Sequence, residues 1–187
     1  MCFRMKNVYI MGMFIMAMVI SCNKNDGPVR KGSINLSSEL LGVETYFIYG
    51  YNFKKSDYIQ FSLFQSMSTT KPDIINYPFK NPDGTIGAPG FNAPSGKNGF
   101  HLLGEFNSLN EARTFYDDYP EVQSNLTYEV DSDTVRKYQV WLQKTQLDQY
   151  AKLLVTDIAY YNESMGESYV VVSMDFTYQD DGTGIFP

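Results

Sequence analysis

Histidine and tryptophan each occur once in this sequence, as His101 and Trp141, and cysteine occurs twice, as Cys2 and Cys22. A zinc site draws on several histidine or cysteine ligands, so the chain lacks the donors for an ordinary one. The nucleophile elbow Gly-x-Ser-x-Gly is missing, and a serine triad would have to be built on His101 alone. Basic residues are also few. Fifteen Lys and Arg stand against 21 Asp and Glu, a net charge of −6, which argues against nucleic acid or a polybasic-type headgroup contact. No similarity recurs at a period of roughly 20 to 50 residues, so a solenoid or propeller is not expected.

What is abundant is aromatic: 15 Tyr and 13 Phe in 187 residues, with 43% hydrophobic residues overall. Tyr and Phe suit pleated, half-buried surfaces, and the length fits one domain. The first 21 residues read differently from the rest. Arg4 and Lys6 precede Val8 to Ile20, an uncharged run of 13 residues. That is the length of a signal-peptide core and too short for an ordinary membrane-spanning helix. The run ends in Val19-Ile20-Ser21-Cys22, which resembles a bacterial lipobox: aliphatic, variable, small, then cysteine. The resemblance implies that the Cys22 sulfur receives a diacylglycerol, that residues 1–21 are removed, and that the new amino group is acylated. Several acyl chains on one residue give stable anchoring where one does not. Cys2 leaves with the signal, so no cysteine remains for disulfide or thiolate chemistry. Losing Arg4 and Lys6 leaves 13 basic against 21 acidic residues, a net −8.

Residues 22–33 are expected to be the lipidated cysteine and a polar Gly- and Pro-containing tether, and 34–187 the globular domain. Two aromatic strands are predicted near 44–50 and 57–64, with Asn52 to Ser56 as the turn. A short strand is predicted over 74–77. Lys80 to Gly99, dense in Gly, Pro and Asn, reads as a long loop with room for a small hairpin. A strand is predicted over 100–106. Ser108 and Glu111 have capping-box spacing, Leu109, Ala112, Phe115, Tyr116 and Tyr119 fall on one stripe, and Pro120 follows, so 108–119 is the one predicted helix. Strands near 135–145, 149–160 and 168–178, joined by short turns, should form an antiparallel meander. The last alternates: Val170, Val172, Met174, Phe176 and Tyr178 share one face. The expected fold is therefore mainly β, a single sandwich-like antiparallel domain with one packed helix.

Candidate chemistry is sparse. Asp131 and Asp133, Asp117 and Asp118, and Asp180 and Asp181 are acidic pairs, but none continues as a calcium loop, and they read as turn or helix-end residues. A glycosidase carboxylate pair has no positive signal. Asn35, Asn125 and Asn162 open N-x-S/T triplets, read as chance. Trp141 lies opposite in facing to Val140 and Leu142. Exposed, it would stack on a sugar, a porphyrin or another protein; otherwise it is core. Phe91 and Phe100 are loop aromatics that would extend such a surface. His101 reads as a half-buried strand histidine.

The run from Gln139 to Pro187, with "QVWLQKT" (Gln139 to Thr145), "YAKLLVTDI" (Tyr150 to Ile158) and "FTYQDDGT" (Phe176 to Thr183), resembles the C-terminal region of secreted Bacteroidetes lipoproteins, including the HmuY-like haem-binding family. Pro72-Asp73-Ile74 echoes a Trp-Asp-Ile strand common in that family. The resemblance implies a β-sheet domain held at the outer membrane or cell surface. It also raises haem as a ligand, with His101, Met67, Met165 and Met174 as axial candidates. The expected role is a non-catalytic, membrane-anchored envelope lipoprotein that binds a nutrient ligand or another envelope protein. Haem carriage is one alternative and a glycan-binding or adhesin-type component another. No cofactor beyond haem is implied. An enzyme would require a deep pocket with converging carboxylates.

Overall fold

The computed structural model describes residues 30–42, 46–62, 70–96, 99–162 and 167–186. The signal run, Cys22, Met67 and Met165 lie outside the described residues. The strands are β1 (Lys31–Ser37), β2 (Phe47–Asn52), β3 (Asp57–Ser62), β4 (Ile75–Asn76), β5 (Phe91–Asn92), β6 (Phe100–Glu105), β7 (Gln139–Lys144), β8 (Tyr150–Tyr161) and β9 (Tyr169–Gln179), and the helix is α1 (Leu109–Asp118).

The mainly β, sandwich-like fold centres on a five-stranded antiparallel sheet in the order β1-β9-β8-β7-β6. Strands β6 to β9 form the meander that their short connections require, and β1 pairs along the remaining edge of β9. The register sets Ile34 opposite Met174 and Leu36 opposite Val172. Residues facing each other across an antiparallel pair share a face, so the alternation of both strands points into one core. Val170, Val172, Met174, Phe176 and Tyr178 are all buried there. Strand β1 begins at Lys31, so the last three residues expected in the tether belong to the sheet. Its outer edge meets a side chain: the Asn35 N–H donates to the Tyr58 hydroxyl at 2.9 Å, and that hydroxyl donates back to Asn35 O at 3.2 Å. Covering an edge in this way blunts unwanted strand pairing.

Both faces of the sheet are covered. On one, Leu153, Val155, Val172, Met174 and Phe176 pack with Tyr51 and Phe53 from the β2–β3 hairpin, with Ile74, and with Phe91. Gly50 allows this close approach. A Cβ there would lie 2.5 Å from Ile74 O and 2.5 Å from the Ile75 side chain. On the other face, Ala112 and Tyr116 of α1 pack on Val140 and Leu154. Strands β7 and β8 are therefore buried on both sides, which explains the unbroken runs Val140-Trp141-Leu142 and Leu153-Leu154-Val155. Strand β7 starts at Gln139 rather than near 135, because Tyr138 takes a left-handed φ of 68° as the chain turns into the sheet.

Helix α1 starts where its caps require. Ser108 Oγ accepts from the Glu111 N–H at 3.3 Å, and Glu111 Oε2 accepts from the Asn107 N–H at 3.2 Å. Its C-terminal end is closed by Lys152 of β8. The buried amine donates to Tyr116 O and, at 2.8 Å, to Tyr119 O, and lies 4.6 Å from the Tyr116 ring centroid. A cation at a helix C-terminus meets the negative end of its dipole. Burial nonetheless pulls this amine down to about 8.

Asp73 ties the layers together. Its Oδ2 accepts from the Phe53 N–H at 2.9 Å, its own N–H donates to Tyr51 O at 2.8 Å, and its carbonyl accepts from Gln143 Nε2. Burial pushes the carboxyl up from 3.8 to about 6, against the opposing hydrogen bond from Phe53. The folded state thus holds this proton more tightly than the unfolded chain. Its contribution is most favourable below about pH 4 and is lost as pH rises through about 6. The difference corresponds to roughly 3 kcal/mol. Asp73→Asn keeps an acceptor for Phe53 and removes the charge. Urea unfolding should show the variant gaining roughly 3 kcal/mol on the parent between about pH 3.5 and pH 7.5. An equal gain at both pH values would contradict the assignment.

Candidate functional site

The chain does not leave β4 as an irregular loop. It continues extended through Tyr77, Pro78 and Phe79, turns, and returns through Ile86 to Gly90 into β5. The ladder between β4 and β5 runs on into this arm: the Tyr77 N–H donates to Gly90 O at 2.8 Å, the Phe79 N–H to Ala88 O at 2.9 Å, and the Gly87 N–H to Phe79 O at 2.7 Å. At the tip, Asp83 Oδ1 accepts from the Thr85 N–H at 3.0 Å and from its hydroxyl at 2.6 Å, which holds the Asp83 carboxyl below the usual range. Gly84 supplies the positive φ of 84° that the turn needs. Most of the expected long loop is therefore a hairpin arm standing off the sheet.

Beneath this arm lies a cleft of about 710 Å³. Leu40, Ile48, Ile86 and Phe91 give it apolar walls, and Lys80, Asp131 and Glu167 bring charged groups. Tyr77 and Phe79 also line it, and they remain 57% and 47% exposed. They stand two residues apart on an extended segment, so both leave the same side of the arm. The Phe79 ring lies over Gly90, where a Cβ would come within 3.0 Å of it. Open aromatics on a concave surface make this cleft the candidate site.

The cleft floor is wired into the sheet. Asn76 is fully buried, and its Nδ2 donates to Leu36 O at 3.0 Å and to Val170 O at 2.8 Å. Two carbonyl acceptors fix the orientation of the amide and tie the arm's root to both β1 and β9. Ser38 Oγ accepts from the Val170 N–H at 3.0 Å, and Ser132 Oγ accepts from the Phe91 N–H at 2.8 Å. The lining hydroxyls of Ser38 and Ser132 thus brace the walls.

The aromatics singled out from sequence are placed differently. Trp141 is 3% exposed, Phe91 1% and Phe100 2%. Phe91 lies 5.6 Å from Phe100 and 6.2 Å from Trp141, ring to ring, in one buried cluster. The indole N–H is satisfied inside by Gln139 Oε1 at 3.1 Å. The exposed stacking surface expected of Trp141, Phe91 and Phe100 is therefore not there. Their rings are core, and Phe91 alone touches the cleft, as part of its wall. Open loop aromatics do line the cleft, in the neighbouring segment Tyr77-Pro78-Phe79. His101 is half-buried on β6, with Nδ1 2.9 Å from Thr127 O and its ring beside Tyr128. Met174 is in the core. Neither residue lines the cleft. Among the described residues no group of three or more His, Cys, Asp or Glu is placed to hold a metal ion, and no helix is long and apolar enough to cross a membrane.

No protein-family model matches this sequence, and no curated protein matches it.

The pinning role of Asn76 has a direct consequence. Asn76→Asp would turn a double donor into a buried carboxylate facing two carbonyls, at a cost of about 3 kcal/mol or more. The melting temperature at pH 7.5 should fall by about 6 °C or more. A fall of under about 2 °C would show that the arm is not held through this amide.

Proposed function

We propose that this chain is a non-catalytic lipoprotein, anchored to the outer membrane through Cys22, whose β domain binds a ligand in the cleft beneath the 77–90 arm. The observation that carries the binding reading is the pair of open rings, Tyr77 and Phe79, on the wall of a cleft of about 710 Å³. That size falls within the span typical of small-molecule sites. The anchoring reading rests on Val19-Ile20-Ser21-Cys22 behind an uncharged run.

Two features favour binding over catalysis. Asp131 and Glu167, the carboxylates of the cleft, are both exposed, and Asp131 Oδ1 already accepts from Asn92 Nδ2 at 2.6 Å. The hydroxyls of Ser38 and Ser132 are engaged with backbone groups. For haem, the described candidates His101 and Met174 do not meet at the cleft, so no observation carries that alternative further.

Cys22→Ser tests the anchor. In a Gram-negative host grown with radiolabelled palmitate, the parent chain should take up label and sediment with outer membranes, while the variant should do neither. Equal labelling of the two chains would remove the lipoprotein reading.

A further inference from the structure

The polar groups of the cleft differ in kind from its rings, and together they describe a ligand. Asp131, whose Oδ1 already accepts from Asn92 Nδ2 at 2.6 Å, and Glu167 offer acceptors, Lys80 offers a donor, and Tyr77 and Phe79 offer ring faces. A fully apolar ligand would strip water from both carboxylates and the ammonium without replacing the lost hydrogen bonds, a heavy desolvation cost. An anionic ligand would meet two negative groups against one positive. An organic cation would gain from the rings and from two carboxylates against one ammonium, but it would leave the Lys80 ammonium in the same cleft without an acceptor. A neutral polyol with an apolar face fits every group at once. Its hydroxyls donate to carboxylates in charge-assisted hydrogen bonds, its oxygens accept from the ammonium, and its C–H face packs on aromatic rings.

We infer that the cleft takes a neutral saccharide, its C–H face against Tyr77 and Phe79 and its hydroxyls on Asp131 and Glu167. This rests on the cleft reading above and names the ligand class for the same site. The site is built for recognition from one side. The arm that carries the rings is hydrogen-bonded along its length, and its root is fixed at Asn76. Little ordering is then left to be done on binding, the condition under which modest contacts give useful affinity.

The test uses the full-length chain in lipid nanodiscs on a printed array of neutral and acidic glycans, with empty nanodiscs as the blank. A subset of neutral glycans should be retained. By calorimetry, the affinity for the best of them should fall about tenfold or more in Tyr77→Ala/Phe79→Ala, whose side chains are open enough to remove without unfolding the domain. Glu167→Gln, which keeps an acceptor and loses the charge assistance, should cost about threefold or more, and an unchanged affinity would remove Glu167 from the ligand's partners. Preferential retention of acidic glycans, or of none, overturns the saccharide assignment. In that event, choline and the uncharged apolar dye N-phenylnaphthylamine are titrated into the same nanodiscs. Binding of either that the double variant abolishes would leave the cleft reading standing and replace only the ligand class. Binding of neither would overturn both.

Discussion

Strand β9 is the element on which the rest depends, because it is hydrogen-bonded along both edges and buries an alternating row of large side chains. It pairs with β8 over most of its length and with β1 from Lys31 to Ser37. Val172, Met174, Phe176 and Tyr178 then form the floor against which the second layer packs. Phe53 meets Phe176 edge to face at 5.4 Å and stacks on Tyr178 at 5.6 Å, so the β2–β3 hairpin is positioned by this strand. On the opposite face, Asp175 takes the Arg113 guanidinium at 2.6 Å, and Thr177 shares a 2.7 Å hydrogen bond with Tyr116, which seats α1.

The cleft follows from that same strand. The root of the arm is held by Asn76, whose amide bridges carbonyls of β1 and β9 at the place where those strands run side by side. The arm is thereby fixed against the end of the sheet. Its own ladder carries Tyr77 and Phe79 outwards on one side, and the turn at Asp83 to Thr85 closes it. Binding would therefore be recognition by a preformed wall rather than by a segment that folds around its ligand.

Much of this was legible in the sequence, and what was not has definite causes. The period-two row in β9 and the capping spacing at Ser108 and Glu111 are local signals, and the structure carries both. Strand β1 is not legible in the sequence, because its register is imposed by β9 and its first residues, Lys31-Gly32-Ser33, have the composition of a linker. Gly and Pro are frequent in the arm, so its sequence reads as a long loop with room for a small hairpin, and the backbone finds ladder partners at Tyr77, Phe79 and Gly87. For Trp141 the sequence leaves surface and core both open, and the choice between them is tertiary. Facing away from Val140 and Leu142 means exposure only in a sheet with one covered face, and here α1 covers one face and the β2–β3 layer the other. The signal for Tyr77 and Phe79 was present, two large rings either side of a proline, but only the arm's position over the cleft gives it meaning.

The cleft wall should hold its shape before any ligand arrives. Amide hydrogen exchange on the full-length chain, followed residue by residue without ligand, tests it most directly. The Tyr77, Phe79 and Gly87 amides, each hydrogen-bonded across the arm, should exchange far more slowly than free peptide, with the amides of Val172 to Phe176 slower still. Exchange at Tyr77 and Phe79 at free-peptide rates, beside a protected β9, would contradict the account, for the aromatic wall would then form only on binding.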